Sequence, residues 1–411
     1  MLFINWNDLK IIKNAENVTI VNERFRTWVV ISFDLFKKLI MNDGKSEREI
    51  IDDLRSACAS IATSVDEIEE MLCDLLEREI LFDDSNTCIR KDEPAVQTAR
   101  SGSFYLTNSC NFNCVHCYKN ANNNIADMNT AQVKFALKRL NDEFMCSRIS
   151  FTGGEPLLRT DLIEILTYAR SVFSFVQLQT NGSLLTEEVV SQIAPLVDVV
   201  RIGLDGSTSA INDPVRGTGS FEMILAGIKL ARKHNIKTIV STTILKTNID
   251  DIVNIKKLCE RYGADFVMTD YLHMGRGVNN DLGYEDYTPN GDNYNYEEYG
   301  VCSERCGAFT QRITIDSDGT LYPCDELMYP EFVLGNILKD DYHDINNCVT
   351  ARQLKGRTVN SLEHCKQCNV KYFCNGLCPG RAYARNGDMW SQDPRCEYKK
   401  RELNKLIFGS H

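Results

Sequence analysis

The sequence predicts an α/β protein. A parallel sheet with crossover helices occupies the middle of the chain, a small mixed unit precedes it, and a cysteine-dense unit follows. Three observations predict this. Between residues 103 and 277, β-type runs alternate with helical patterns six times. Residues 1–83 carry short strand patterns and then three short helices. Of the 17 cysteines, nine fall in residues 301–411, which makes that end a unit of different chemistry.

In the first unit, residues 17–21 (NVTIV) and 28–31 (WVVI) read as strands joined by the polar turn 22–24. Helical spacing follows at 34–41, at 47–59 through Ile50, Ile51 and Leu54, and at 65–77 through Ile68, Met71, Leu72 and Leu75. A strand pair followed by three helices suggests a winged-helix-like domain over 1–83. Residues 84–102 are polar and aperiodic, and read as a linker.

In the central unit the expected strands are 104–107, 148–152, 176–180, 199–204, 238–243 and 265–270. The expected helices are 131–144, 162–173, 187–196, 222–234 and 251–262. Consecutive βα units dictate parallel strands. Six units fall short of the eight that close a full barrel, so a partial barrel and an open sheet both remain. In either, chemistry belongs at the C-terminal ends of the strands. Residues 278–301, rich in Asn, Tyr and acidic groups, read as an irregular insertion, either a solvated loop or a lid over the substrate.

Composition narrows the function. The 411 residues hold 46 Lys and Arg against 57 Asp and Glu, a net charge of −11, so no basic face for nucleic acid or an anionic membrane is expected. No signal peptide or spanning segment is visible, and a cytoplasmic location is expected. In a reducing compartment an odd cysteine total fits disulfides poorly. Seventeen thiols beside six histidines favour thiolate-rich metal centres.

Cys110, Cys114 and Cys117 directly follow the first strand of the central unit. Three thiolates do not complete tetrahedral zinc, which takes four ligands. They can hold three irons of a [4Fe–4S] cluster and leave the fourth open. This C-x3-C-x2-C loop, followed by Thr152-Gly153-Gly154-Glu155-Pro156 after the second strand, resembles the radical S-adenosylmethionine (SAM) superfamily over residues 103–277. The resemblance implies a partial (β/α)6 barrel whose open iron is chelated by the SAM amine and carboxylate. It places Gly153, Gly154 and Glu155 at the methionyl end and Thr180 and Asn181 at the nucleoside. Arg216 would pair with the SAM carboxylate, and His116 would contact adenine without ligating metal. Gly203 stands where many relatives carry serine, which puts one ribose contact in doubt. Gly275-Arg276-Gly277 also resembles the family, with a vaguer role.

Residues 302–411 resemble the SPASM domain, with Cys306 and Cys324 flanking Gly319, then Cys365-x2-Cys368-x5-Cys374-x3-Cys378 and Cys396. That resemblance implies two auxiliary [4Fe–4S] clusters, three in all with the SAM-binding one. Cys365, Cys368, Cys374 and Cys396 would hold one auxiliary cluster. Cys306, Cys324, Cys378 and the less regularly spaced Cys302 would hold the other, unless one of its irons is open to a substrate thiolate. Cys58, Cys73, Cys146 and Cys259 read as small apolar packing residues, while Cys88 and Cys348 lie in less regular sequence. Asp325, next to Cys324, is the candidate base, with Glu326 its competitor and a turn-forming role the alternative.

The implied chemistry is reductive cleavage of SAM to a 5′-deoxyadenosyl radical, hydrogen abstraction, and loss of an electron to the auxiliary clusters, with flavodoxin or ferredoxin as external donor. The N-terminal domain resembles the leader-recognition domain of ribosomal-peptide maturases. A precursor peptide would add a strand near residues 17–21 or 28–31. The expected activity is that of a radical SAM oxidoreductase forming thioether crosslinks in that peptide. Carbon–carbon or ether crosslinking, formylglycine-generating sulfatase maturation and a non-catalytic electron-transfer or zinc scaffold are the alternatives.

Overall fold

The computed structural model describes residues 2–4, 9–13, 17–22, 27–57, 65–78, 80–83, 100–122, 126–280, 282–283 and 304–408. The first unit contains β1 (Leu2–Ile4), β2 (Leu9–Lys13), β3 (Asn17–Asn22), β4 (Thr27–Ser32), α1 (Phe33–Met41), α2 (Glu47–Ala57), α3 (Val65–Glu77) and β5 (Leu81–Asp83). Strands β2, β3 and β4 form an antiparallel sheet in that order, and β1 pairs with β5. The Ser32 hydroxyl starts α1 by accepting from Leu35 N–H at 3.2 Å. Val18 and Ile20 face the helices and bury Phe36, Leu39, Leu54, Leu72 and Leu75. The periodicity had indicated the three helices and two of these strands. It missed β2, and that changes the sheet: β3 is paired on both sides, so residues 17–21 offer no free edge.

The central unit runs β6 (Arg100–Tyr105), α4 (Thr130–Asp142), β7 (Cys146–Thr152), α5 (Leu162–Val172), β8 (Phe175–Thr180), α6 (Glu187–Ile193), β9 (Val199–Gly203), α7 (Ser209–Arg216), α8 (Ser220–Lys233), β10 (Lys237–Thr243), α9 (Ile252–Arg261) and β11 (Asp265–Thr269). Strands β6 to β11 lie side by side in chain order, all parallel. Successive crossovers of one hand that step in one direction put every helix on the same face. Phe104, Phe151, Val176, Leu178, Val200, Ile202 and Val240 point to that face, each fully buried against Val133, Leu137, Ile165, Ile193, Ile224 and Ile255. A capping box at Asn129 and Gln132 fixes the start of α4. The opposite sheet face is free to be polar.

The sheet does not close. Beside β6 lies β12 (Arg312–Ile315), running parallel to it, then β13 (Thr320–Tyr322) and β14 (Gly335–Asn336), both antiparallel. The C-terminal unit thus begins as a continuation of the barrel sheet. β6 starts inside the expected linker: Arg100 pairs with Cys146 of β7, and from Ser101 on the strand also pairs with β12. The chain ends in α10 (Tyr342–Asn347), α11 (Val349–Gly356), α12 (Lys371–Cys374), α13 (Pro379–Asn386) and α14 (Cys396–Phe408). Cys146 and Cys259 are core residues, as their patterns suggested, whereas Cys73 is exposed on α3. Cys348 accepts from Ala351 N–H at 3.4 Å and caps α11. Cys58, Cys88 and Cys302 lie outside the described residues, as does most of 278–301. Among the described residues no helix is long and apolar enough to cross a membrane.

Candidate active site

The three-cysteine loop leaves the C-terminal end of β6 and is fixed by its neighbours from several sides. Cys110 N–H donates to Asn122 Oδ1 at 2.8 Å. Arg276 Nε donates to the Cys114 carbonyl at 2.9 Å, and Arg276 N–H donates to that of Cys117 at 2.9 Å. These bonds give the Gly275-Arg276-Gly277 segment its role: it clamps the loop. Asn111 exchanges hydrogen bonds with Asn181 and Ser183 beyond β8. Burial pushes the Cys110 thiol up and that of Cys114 up to about 11, the latter against the pull of the Arg216 charge.

Gly153 and Gly154 pass against the segment entering this loop. Gly154 N–H donates to Thr107 O at 2.7 Å and Glu155 N–H to Ser109 O at 2.8 Å. A Cβ on Gly154 would collide with the Ser109 carbonyl, and one on Gly153, whose φ is +141°, would sit 2.5 Å from Thr107 O. The Glu155 carboxylate turns to β8. It accepts from Thr180 Oγ1 at 2.8 Å, Asn181 N–H at 2.7 Å and Leu157 N–H at 3.0 Å. Burial raises its pKa, and those donors act in the opposite direction. Glu155 therefore braces the Thr180–Asn181 turn.

His116 and Arg216 meet on a residue that the motif reading left without a role. His116 Nε2 lies 3.0 Å from Asp205 Oδ2, and Arg216 Nε lies 2.7 Å from the same oxygen. Arg216, expected at the SAM carboxylate, is held by its own chain because Gly203 makes room. A Cβ there would stand 2.5 Å from the guanidinium. The His116 Nδ1 atom is buried and has no hydrogen-bond partner among the described residues.

Asp325 reaches the polar face of the sheet. Its carboxylate accepts from Tyr105 OH at 2.9 Å, Ser103 Oγ at 3.1 Å and Thr314 Oγ1 at 3.1 Å, while Tyr105 OH meets Tyr118 OH at 2.8 Å. Burial and the neighbouring Glu326 charge raise the pKa of Asp325. Ser103 is in register with Ser150 and Thr314, so these line one face. Ser150 accepts from Gln177 and Gln179 at 3.0 and 2.8 Å. Strands β6 to β9 and β12 thus present a polar chamber between the cysteine loop and Asp325.

The C-terminal cysteines fall into two groups. Cys306, Cys324 and Cys378 lie together: burial raises Cys324 well above the usual thiol range and Cys378 to about 12, and charge on Cys306 adds to both. Cys365, Cys368 and Cys396 lie around Cys374, whose thiol burial pushes up to about 12, with their charges adding to it against a backbone hydrogen bond from Gly376. Among the described residues no three potential ligands meet on a single metal ion. A four-iron cluster takes its thiolates around a larger body. Three soft thiols on one loop, above a backbone cradle that side chains would fill, fit such a cluster and its SAM. Burial keeps the free Cys110 and Cys114 thiols protonated, and metal binding would release those protons. Arg381, just beyond Cys378, binds Asp270 at 2.6 Å and joins this unit to the end of β11.

Comparison with known proteins agrees with this architecture. Residues 104–259 match the radical SAM superfamily, and residues 306–369 match the iron–sulfur cluster-binding domain SPASM. Mycofactocin maturase MftC of Mycobacterium tuberculosis is 29% identical over 322 residues, covering 71% of this chain and 81% of that protein. An AdoMet-dependent heme synthase of Methanosarcina barkeri is 28% identical over 338 residues, covering 72% of this chain and 95% of that protein. The structure of Streptococcus suis SuiB bound to its precursor peptide SuiA superimposes with a TM-score of 0.59 at 14% identity, over 96% of this chain and 99% of that one. The chain therefore carries a radical SAM domain followed by a SPASM domain, and it has the open parallel-sheet fold of radical SAM proteins.

Proposed function

We propose that this protein is a radical SAM maturase that installs thioether crosslinks, Cys sulfur to carbon, in a ribosomally made precursor peptide. Cys110, Cys114 and Cys117 would hold the SAM-binding cluster. Cys365, Cys368, Cys374 and Cys396 would hold one auxiliary cluster, and Cys306, Cys324 and Cys378 with Cys302 the other. Gly153 and Gly154 would line the methionyl end and His116 the adenine, while Glu155 keeps Thr180 and Asn181 in place. When bound, the reduced cluster and SAM supply a carbon radical that takes a hydrogen atom from an unactivated C–H bond. Asp325, already held by three hydroxyls, would accept the substrate proton.

The observation carrying the peptide reading is the three-stranded N-terminal sheet, which presents β4 as an edge strand. A peptide backbone extends such an edge through main-chain hydrogen bonds. At Trp28 the edge carbonyl already accepts from Arg78 Nη1 at 2.9 Å, so a leader would pair farther along β4. An extended leader there leaves its core peptide free to enter the chamber. The relatives named above include a mycofactocin maturase, a heme synthase and a SuiB structure bound to a precursor peptide, so a peptide substrate has a precedent among them.

The test is anaerobic co-expression with a candidate precursor peptide, weighed for loss of two hydrogen atoms per crosslink. Purified enzyme should contain iron and sulfide and form 5′-deoxyadenosine only with a reductant. Replacing Cys110, Cys114 and Cys117 with Ala should abolish that product. Zinc in place of iron, or no SAM cleavage by the wild type, would defeat the reading. A crosslink lacking sulfur would move the protein to the carbon–carbon or ether class.

A further inference from the structure

The polar chamber contains a cation that the described residues leave without a counter-ion. Arg201 lies in the middle of β9, in register with Gln179 on β8 and Ile239 on β10. Gln179 points into the chamber toward Ser150, so Arg201 shares that face. Its Nη2 donates to Ser241 Oγ at 2.9 Å. Among the described residues that is its one protein acceptor, and no carboxylate comes within ion-pair distance.

The other charged groups around the cysteine loop are already satisfied. Arg216 rests on Asp205, Lys119 on Asp316, and Arg276 on backbone carbonyls. Asp325, the carboxylate of the chamber, is occupied by Tyr105, Ser103 and Thr314. Arg201 is thus a half-buried guanidinium with two faces of its fork unused. Burial disfavours its charge, and the groups that offset this, Tyr118 and Asp325, act from a distance. A chain that keeps such a cation facing a substrate chamber does so at a cost in stability. An incoming anion removes that cost. The planar fork suits a carboxylate, which it can take through two parallel hydrogen bonds.

We propose that Arg201 binds a carboxylate of the substrate inside the chamber and thereby sets which part of the peptide stands beside Asp325. This deepens the proposed function and rests on it. Two sources share that chemistry: the side chain of an Asp or Glu in the core peptide, and the C-terminal carboxylate of the peptide. Arg201 is a binding residue in either case, and neither requires a change in the radical chemistry.

The test is a ligand-observed NMR titration of the full-length, cluster-loaded enzyme with SAM and without reductant, so that no turnover contributes. Three probes are compared: N-acetyl-glycylglycine with a free C-terminus, N-acetyl-glycylglutamate amide, and neutral N-acetyl-glycylglycine amide. At least one acidic probe should bind the wild type about tenfold tighter than the neutral one, the scale of a charge-assisted hydrogen bond. Whichever acid binds identifies the source. In R201Q that preference should vanish, while R201K, which keeps the charge and loses the fork, should retain part of it. R201K also decides the matter if R201Q does not fold. Equal binding of acids and amide by the wild type, or an acid preference that survives both substitutions undiminished, would overturn the proposal. Crosslinking of a co-expressed precursor peptide and SAM cleavage are measured separately on the wild-type enzyme, so failure of the maturase reading shows in those assays and not in the probe titration.

Discussion

Lys119 Nζ lies 2.5 Å from Asp316 Oδ1, and both side chains are less than a tenth exposed. The pair fastens the segment just after Cys117 to the loop after β12, and Met128 N–H donates to the Ser317 carbonyl at 2.7 Å beside it. Removing one partner of a buried pair leaves a charge without compensation. K119M should therefore cost about 3–5 kcal/mol, and K119M/D316N distinctly less than the sum of its single changes. Denaturant unfolding of the four proteins measures this. Additive losses would show that the two groups are not coupled.

Gly154 and Gly203 are both tight, and they should respond differently to substitution. At Gly154 an added methyl meets backbone, the carbonyl of Ser109, which cannot move without displacing the cysteine loop. At Gly203 it meets the end of a flexible side chain, the Arg216 guanidinium. G154A should destabilise the protein by at least the roughly 1–3 kcal/mol of an overpacked core and lower its iron content after reconstitution. G203A should shift the arginine at a smaller cost. Iron content and melting temperature of the two variants decide it, and equal damage would contradict the difference in neighbours.

Much of the fold was legible because β6 to β11 bury one face under helices and repeat apolar residues at the matching periods. The cysteine spacings stood out in the same way. Pairing is less legible. β2, the five residues LKIIK, is too short and too charged to read as a strand, yet it makes β3 a central strand and moves the available edge to β4. Arg216 was recognisable by position, but its partner Asp205 is set by the folding of α7 over the end of β9. Arg201, Gln179 and Ser150 form one surface only once three strands are in register, and a linear pattern does not carry that information.

The buried Asp205 gives a pH prediction. Burial works against its charge, but the Arg216 and His116 contacts win and hold its carboxyl well below the usual carboxylate range. A folded pKa below the unfolded value of 3.8 gives stability that is fully present above 3.8 and is lost as pH falls through the folded value. D205N should therefore be less stable than wild type by about 3–5 kcal/mol at neutral pH, because Arg216 is left buried without its counter-charge. That difference should stay flat from about pH 8 to about pH 5 and narrow only in stronger acid. Urea unfolding of both proteins across that range checks it. A gap that closes between pH 7 and pH 5 would point to a different titrating group.

Trp28 on β4 meets Phe373 on α12 edge to face, with ring centroids 4.9 Å apart and planes at 90°. Val21 is buried in the same apolar cluster, with Cys365, Phe373 and Leu403. The strand proposed to receive a leader therefore rests on the unit that carries the Cys365, Cys368, Cys374 and Cys396 group. Its two faces do different work: Val29 and Ile31 pack under the N-terminal helices, while Trp28 and Val30 contact the C-terminal unit. A W28A/F373A double-mutant cycle should return a coupling of about 0.5–1.5 kcal/mol, the worth of an aromatic pair beyond its buried area. W28A should also speed hydrogen exchange in β3 and β4, because that sheet loses its outer support. A coupling of zero together with unchanged exchange would mean that the N-terminal sheet is held by its own core alone.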